Sequence, residues 1–330
     1  MTPLSMVGRA DELDELARQW TCVRRGDGTG TRVVVVTGAA GTGKSRLVSE
    51  ALAAFAPRPA VVLWGTARVH SPAPYDWLAA ILSRHDTRDL PIPADGLAWL
   101  GQDPTAPAER YAPGALLRLA VRTVRALVGR GPAALIVEDL HALDPASLNL
   151  VAELAAAAGL PVLLVVTSRP AEAAVSPELA ATALARLSGA AGAVRQHLGP
   201  LGRAEVAALI AQVHGPVPEG LADAVWERTG GNAYRLTELL AVAAGQPPQA
   251  LLSAPLPGQR PAPAAPGERA ELTARELEVL ECLTAGMSNK QMARTLDISI
   301  RTVAVHVSNL LRKTGSSSRT EAALWAVRRG

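Results

Sequence analysis

The 330-residue sequence has two cysteines, Cys22 and Cys282. They lie far apart and outside any CxxC or Cys/His cluster, which excludes a disulfide framework and the usual zinc spacings. A reducing, intracellular setting is expected. No apolar run approaches the roughly 20 residues that cross a bilayer, and the start MTPLSMVGRADELDEL turns acidic where a signal peptide would turn hydrophobic. A cytoplasmic protein without a membrane partner is therefore expected. No internal repeat of fixed period is found, which argues against a solenoid.

What is present is enough for more than one core. At this length, with 48% apolar residues, two domains of unequal size are expected. The net charge of +3 hides an asymmetry: residues 286–330 hold eight Lys/Arg against two acids, a net +6, which leaves −3 for the first 285. A basic block on a globular unit suggests a polyanion partner, a solvated basic face being the plainer alternative.

Short β-branched runs at 33–37, 60–64, 134–137 and 162–167 alternate with helical stretches at 45–55, 115–128 and 145–158. The runs are nearly all apolar, as in strands buried on both faces, so a parallel sheet with helices on both faces is expected. Ligands of such sheets bind at the C-terminal strand ends. Three further helical stretches over 203–244 suggest a helical lid. Seven prolines among Ala, Gly and Gln over 245–270 read as an extended, irregular spacer. The expected domains are 1–244, a linker 245–270, and 271–330.

The segment Gly38-Ala39-Ala40-Gly41-Thr42-Gly43-Lys44-Ser45 follows the run VVVV and opens a helix, matching GxxxxGKS in residues and context. Glycines let the backbone curl so that its N–H groups face phosphates, the helix N-terminus adds positive potential, Lys44 neutralises charge and Ser45 can ligate magnesium. Arg46 joins the candidate nucleotide-binding residues. The stretch ALIV-Glu138-Asp139 supplies two acids at the end of what should be a neighbouring strand; one would ligate magnesium and the other polarise water, in an order left open. Arg169, after PVLLVVTS, stands where a cation could reach a terminal phosphate, though a plain surface arginine before a proline turn reads equally well. An NKxD guanine-reading tetrapeptide is absent, which favours ATP over GTP.

These pieces, with Val7-Gly8-Arg9, Glu12 and Leu16 at the start, LIVEDLHALDPASL, LLVVTSRP, and Thr229-Gly230-Gly231-Asn232 followed by Leu236 and Glu238, resemble the AAA+/STAND-type signal-transduction ATPases that form the front of large ATP-binding LuxR-family regulators. The resemblance implies that Val7, Gly8 and Arg9 lie near the adenine. It also implies that Arg169 senses the γ-phosphate and that Gly231 and Asn232 belong to the lid. The sequence departs from the family at Ala142, where relatives carry Trp, and at Ala233, where they carry Pro.

From Leu272 the sequence reads as four helices separated by short breaks, with Thr273 and Glu276 as a capping box. Leu277, Leu280, Cys282 and Leu283 form an apolar stripe on the first, which makes Cys282 a packed small hydrophobe. Ser288 and Ser299 cap the next two across a tight LDIS turn, so the helices should cross steeply. The third, 300–313, faces Val303, Val307, Leu310 and Leu311 inward and shows Arg301, Thr302, Ala304, Val305, Ser308, Asn309 and Arg312 on its other side, suited to phosphates at the edges and bases in the middle.

This segment is similar over its full length to the LuxR-type helix-turn-helix, through LTxRExEVL, GxSNKxxA, TVxxH and the closing Lys313, Gly315, Arg319 and Thr320. The resemblance implies that Asn289 and Lys290 touch phosphates, that Ala304, Val305 and Ser308 meet base edges, that His306 and Lys313 support the docked helix, and that the last helix, 319–327, pairs in a dimer. With Ala304 and Ser308 where relatives often carry Lys, specificity would rest partly on DNA shape. Relatives also carry a helical-repeat sensor where this chain has the Pro-rich spacer.

The expected protein is thus an α/β P-loop nucleotide-binding module with a helical lid, joined to a small all-α helix-turn-helix domain. ATP and Mg2+ are its expected cofactors, and its expected partners are double-stranded promoter DNA, a second copy or larger homo-oligomer, and RNA polymerase. Three readings stay open: a nucleotide-controlled regulator with slow turnover, a P-loop phosphotransferase with a DNA tether, and a regulator that keeps ATP as a structural ligand.

Overall fold

The computed structural model describes residues 4–27, 30–66, 73–104, 106, 111–129, 131–174, 176–256, 274–285, 287, 289–296 and positions 303, 307, 310, 314, 322, 325 and 326. The chain divides into two compact units, Met1–Ala254 and Pro255–Gly330.

The first unit runs α1 (Ala10–Arg25), β1 (Arg32–Gly38), α2 (Lys44–Ala54), β2 (Val61–Thr66), α3 (Asp76–Leu82), α4 (Ala94–Leu100), α5 (Pro113–Val128), β3 (Ala133–Glu138), α6 (Pro145–Ala155), β4 (Val162–Ser168), α7 (Pro177–Ser188), β5 (Val194–Leu198), α8 (Arg203–His214), α9 (Leu221–Thr229) and α10 (Ala233–Val242). The strands form one sheet in the order β2-β3-β4-β1-β5, with every adjacent pair parallel.

Because successive side chains of a strand point to opposite faces, the apolar runs supply two cores. Val33, Val35, Leu135, Val137, Leu164 and Val166 face one way, against Trp77, Leu78 and Ile81 of α3, Val124 of α5, Leu150 and Val151 of α6 and Leu187 of α7. Val34, Val36, Ala134, Ile136, Leu163 and Val165 face the other, against Leu16 and Trp20 of α1 and Leu47 and Val48 of α2. The four expected strands are all present, each longer than expected by a residue or two. The fifth, β5, has the sequence VRQHL and only Leu198 fully buried; an edge strand shields one side and needs no continuous apolar run. The helix expected to reach 158 stops at Ala155, and Ala158 instead pairs with Gly30 in an isolated antiparallel bridge.

The expected boundary at 244 is corrected. Pro248–Leu252 form a 3-10 turn with Leu251 fully buried. The Arg228 guanidinium of α9 donates to the Leu251 carbonyl and, at 2.8 Å, to that of Ala254. Two prolines start this turn without needing N–H partners, and one buried leucine holds it down. The folded unit therefore runs ten residues into the stretch read as spacer.

In the second unit, α11 (Ala274–Thr284) and α12 (Asn289–Thr295) are described with their bounds. Val279, Leu280, Cys282 and Leu283 pack with Met292, Ala293, Val303, Leu310 and Ala322, and Val307 lies against the same cluster. Cys282 is thus a core residue. Leu277, expected on the inner stripe, is 47% exposed, whereas Glu276 is buried. At 3.6 residues per turn the inner face passes through 276, 279, 280 and 283, which leaves 277 outside. Thr273, Ser288 and Ser299, named as caps, lie outside the described residues.

Leu251→Ala should lower the unfolding free energy of the first unit by about 2–5 kcal/mol, the usual range for emptying a buried leucine site. Denaturant titration of the full chain measures it; an unchanged midpoint would return the boundary to 244.

Candidate functional site

The loop between β1 and α2 carries the phosphate-binding pattern at the C-terminal edge of the sheet. Two of its glycines are required by close approaches: a Cβ on Gly38 would lie 2.6 Å from the Leu198 carbonyl oxygen, and one on Gly41, at φ +76°, would lie 2.5 Å from Asn232 Oδ1. Gly43 starts α2 in the left-handed region without a side-chain cap, so the first turn keeps backbone N–H groups available to an anion. The buried Lys44 folds back over the loop, its Nζ donating to the carbonyls of Gly38 at 2.9 Å and Ala39 at 2.8 Å. Burial pushes its ammonium below the ordinary lysine value, Asp139 opposes that shift and Arg169 adds to it.

Asp139 and Arg169 share a cleft of about 600 Å³ with Gly41, Lys44, Ser45 and the lid residue Tyr234. The acidic strand β3 is not the neighbour of β1; β4 lies between them. This corrects the expected adjacency and explains the trio, since Arg169 directly follows β4, the strand between the one that leads to Lys44 and the one that leads to Asp139.

The two acids part company. Asp139, left-handed at φ 50°, donates its backbone N–H to Thr167 Oγ1 at 3.1 Å, and its half-exposed carboxylate lies in the cleft. Glu138 stands outside the cleft lining. Its Oε2 accepts a hydrogen bond from Trp64 Nε1 at 3.0 Å, while its Oε1 is buried without a hydrogen-bond partner.

His141 was not singled out by the sequence, yet it joins two of these residues. Its Nδ1 accepts the Arg169 backbone N–H at 3.2 Å and lies 3.9 Å from Asp139 Oδ1. That acceptor role puts the proton on Nε2 of a neutral ring. Burial pushes its pKa below the ordinary histidine value; Asp139 opposes this, and Arg169 and Lys44 reinforce it. Only its place two residues after the acidic pair could have marked it.

The lid is joined directly to the loop. Asn232 caps α10 by accepting the Arg235 N–H at 3.1 Å, and its Nδ2 donates to the Ala40 carbonyl at 2.8 Å. The Tyr234 backbone N–H donates to the Gly41 carbonyl at 2.9 Å. Asn232, expected in the lid, thus links it to the loop, and Ala233, Tyr234 and Thr237 contribute to the cleft wall. Thr42 Oγ1 donates to Ala39 at 3.0 Å.

Val7, Gly8 and Arg9 stand outside the cleft lining, which Leu4 enters instead. Gly8 packs against Glu205 of α8. Arg9 pairs with Glu12 at 3.3 Å and donates to the Gly199 carbonyl. Arg46 lines the cleft and ties the Leu4 carbonyl to Glu50, 3.3 Å away. Asp144 is structural: its buried carboxylate caps α6 through the Ser147 N–H at 2.9 Å and accepts the backbone N–H groups of Tyr75 and Asp76 at 3.1 and 3.2 Å.

The residues fit a magnesium nucleoside triphosphate: a glycine loop that side chains would block, a lysine spread across that loop, and a carboxylate, Asp139, in the same cleft. Among the described residues no group of three or more His, Cys, Asp or Glu is placed to hold a metal ion; magnesium at phosphate sites needs only one or two carboxylates beside phosphate oxygens.

On the C-terminal unit, Asn289 and Lys290 open α12. Arg301, Thr302, Ala304, Val305, His306, Ser308, Asn309, Arg312 and Lys313 lie outside the described residues. Also among the described residues, no helix is long and apolar enough to cross a membrane.

Comparison with known proteins agrees with this geometry. A family model described as AAA ATPase domain matches residues 5–166, and one described as bacterial regulatory proteins, luxR family, matches residues 270–326. The front of the chain is therefore an AAA ATPase domain with a P-loop. The chain as a whole joins that domain to a C-terminal LuxR-type helix-turn-helix domain. Uncharacterized protein R02095 of Rhizobium meliloti (strain 1021) is 32% identical over 200 residues, covering 50% of this chain and 18% of that protein. The nitrate/nitrite response regulator protein NarL of Escherichia coli (strain K12) is 47% identical over 55 residues, covering 17% of this chain and 26% of that one. The chain thus spans well under a third of either relative. The Aeropyrum pernix ORC1 protein, solved in complex with DNA, has a similar fold, with a TM-score of 0.53 at 17% identity over 93% of this chain and 84% of that one.

The buried neutral His141 gives a pH signature. Its folded pKa lies below the ordinary value, so as pH falls through about 6.5 the unfolded chain takes up a proton that the folded one resists, and stability is lost. Between about pH 8 and about pH 5 the stability gap between the protein and its His141→Gln variant should narrow. A gap independent of pH in denaturant titrations would contradict the neutral assignment.

Proposed function

We propose that the chain is an ATP-dependent, DNA-binding transcription regulator, in which nucleotide held by the front domain controls DNA binding or assembly through the C-terminal helix-turn-helix. The observation that carries the reading is a single cleft walled by Lys44, Ser45, Asp139 and Arg169 of the sheet edge and by Ala233, Tyr234 and Thr237 of the lid. A ligand there touches both bodies, so its bound state can bias how the lid sits.

In this reading the loop from Gly38 to Gly43 cradles the phosphates through its backbone, and Lys44 exchanges its loop carbonyls for phosphate oxygens. Relief of the buried ammonium favours that exchange. Arg169 meets the terminal phosphate. Ser45 and Asp139 would hold magnesium, which supplies neutralisation of phosphate charge. Glu138 is the candidate for polarising water, but its hydrogen bond to Trp64 holds it outside the cleft, which favours slow turnover and a long-lived triphosphate state. The lid contacts from Asn232 and Tyr234 to Ala40 and Gly41 are the route by which phosphate binding alters the lid.

The C-terminal unit then binds duplex DNA as a homodimer or larger homo-oligomer in the cytoplasm, with RNA polymerase as a further partner. Asn289, Lys290 and the basic positions of 301–313 supply phosphate contacts. A nucleotide shifts this equilibrium only if it binds the two states with different affinity.

Promoter affinity of the full chain should differ at least about fivefold between ATP and ADP, and Lys44→Ala should remove the difference. Fluorescence anisotropy on labelled duplex measures both; identical curves for all conditions would remove the switch. The DNA association constant should also fall steeply with salt, with a log–log slope of about −0.9 per phosphate contacted. A flat salt response would sink the DNA-binding assignment.

A further inference from the structure

The phosphate chemistry leaves part of the cleft lining unused. Besides Lys44, Asp139 and Arg169 the wall includes Leu4, Arg46, Ala233, Tyr234 and Thr237. Tyr234 is 55% exposed, and the other exposed large apolar side chains among the described residues, Leu179, Val242, Leu252 and Leu277, are aliphatic. Trp20, Phe55, Tyr75 and Trp77 are by contrast at most 5% exposed. Aromatic rings carry large apolar faces that gain most by being covered. A ring left open in the wall of a phosphate-binding cleft is matched to a flat, apolar ligand face.

The backbone that carries the ring is also held at a fixed place. Tyr234 is the second residue of α10, directly after the capping turn of Asn232, and its own backbone N–H donates to the Gly41 carbonyl at 2.9 Å. Asn232 Nδ2 adds the bond to Ala40 at 2.8 Å. The peptide that carries the ring is thus bonded to the loop that would carry the phosphates, and the separation between the two is set by backbone.

Resting on the nucleotide reading above, we propose that Tyr234 is the platform on which the base of a bound nucleoside triphosphate stacks. Stacking uses the face of the base and reads none of its edge hydrogen-bonding groups. Tyr234 therefore supplies affinity for a nucleobase without choosing between adenine and guanine. The hydroxyl plays no part in the contact, so phenylalanine serves as well.

The test is equilibrium binding of ATP, GTP and inorganic tripolyphosphate, each with magnesium, to the full chain and to its Tyr234→Ala and Tyr234→Phe variants, by titration calorimetry. Tyr234→Ala should weaken ATP and GTP by a similar factor of about tenfold and leave tripolyphosphate unchanged. Tyr234→Phe should bind all three like the parent. The backbone bond to Gly41 survives both substitutions, and circular dichroism checks that the variants are folded. Equal losses for ATP and tripolyphosphate, no loss for either, or a Tyr234→Phe variant as weak as Tyr234→Ala would overturn the stacking assignment. A parent that binds tripolyphosphate as tightly as ATP would overturn it too, while a parent that binds none of the three would bring down the nucleotide reading itself.

Discussion

The structure depends on how four consecutive carbonyls are engaged. Those of Gly38 and Ala39 accept from Lys44, that of Ala40 from Asn232, and that of Gly41 from Tyr234. Drawing successive carbonyls toward fixed donors leaves the opposite side of the curl to its amides, which is the geometry of an anion nest. Two of the donors come from the lid, about 190 residues later in the chain, so the nest is built jointly by the loop and the helix that closes over it. Lys44 has a double part, because it completes the loop while its ammonium stays in the cleft that it shares with Asp139.

Strand order gives this cradle its chemistry. With β4 between β1 and β3, the three C-terminal ends present lysine, arginine and carboxylate side by side, and His141 fastens the arginine strand to the acidic turn through the Arg169 N–H. A neutral imidazole suits this place. It can accept that N–H without adding a third positive charge beside Lys44 and Arg169, which is why burial and the two cations pull its pKa the same way. The opposed environments of Glu138 and Asp139 follow from one residue of chain: the last strand position turns its side chain toward Trp64 of β2, and the next, forced into a left-handed turn, faces the cleft.

Much of this could be read from the residues, and the parts that could not have physical reasons. Four strands announced themselves as near-continuous apolar runs, the edge strand β2 among them. β5 did not, because Arg195, Gln196 and His197 interrupt its apolar residues and only Leu198 is fully buried. The phosphate loop was legible because glycine, lysine and serine are fixed by local backbone needs. Its bonds to Asn232 and Tyr234 were not, because a lid contact depends on tertiary approach and leaves no local pattern. Leu277 misled for a simpler reason: it lies one position off the face that Glu276, Val279, Leu280 and Leu283 share. The short turn at Pro248–Leu252 was hidden by its prolines, which read as spacer although Leu251 is buried among folded neighbours.

That turn has a mechanical consequence. Because Arg228 grips the carbonyls of Leu251 and Ala254, the C-terminal end of the first unit is clamped to α9. Any displacement of α9 therefore carries the 251–254 segment with it, so this helix and the end of the first unit move as one piece.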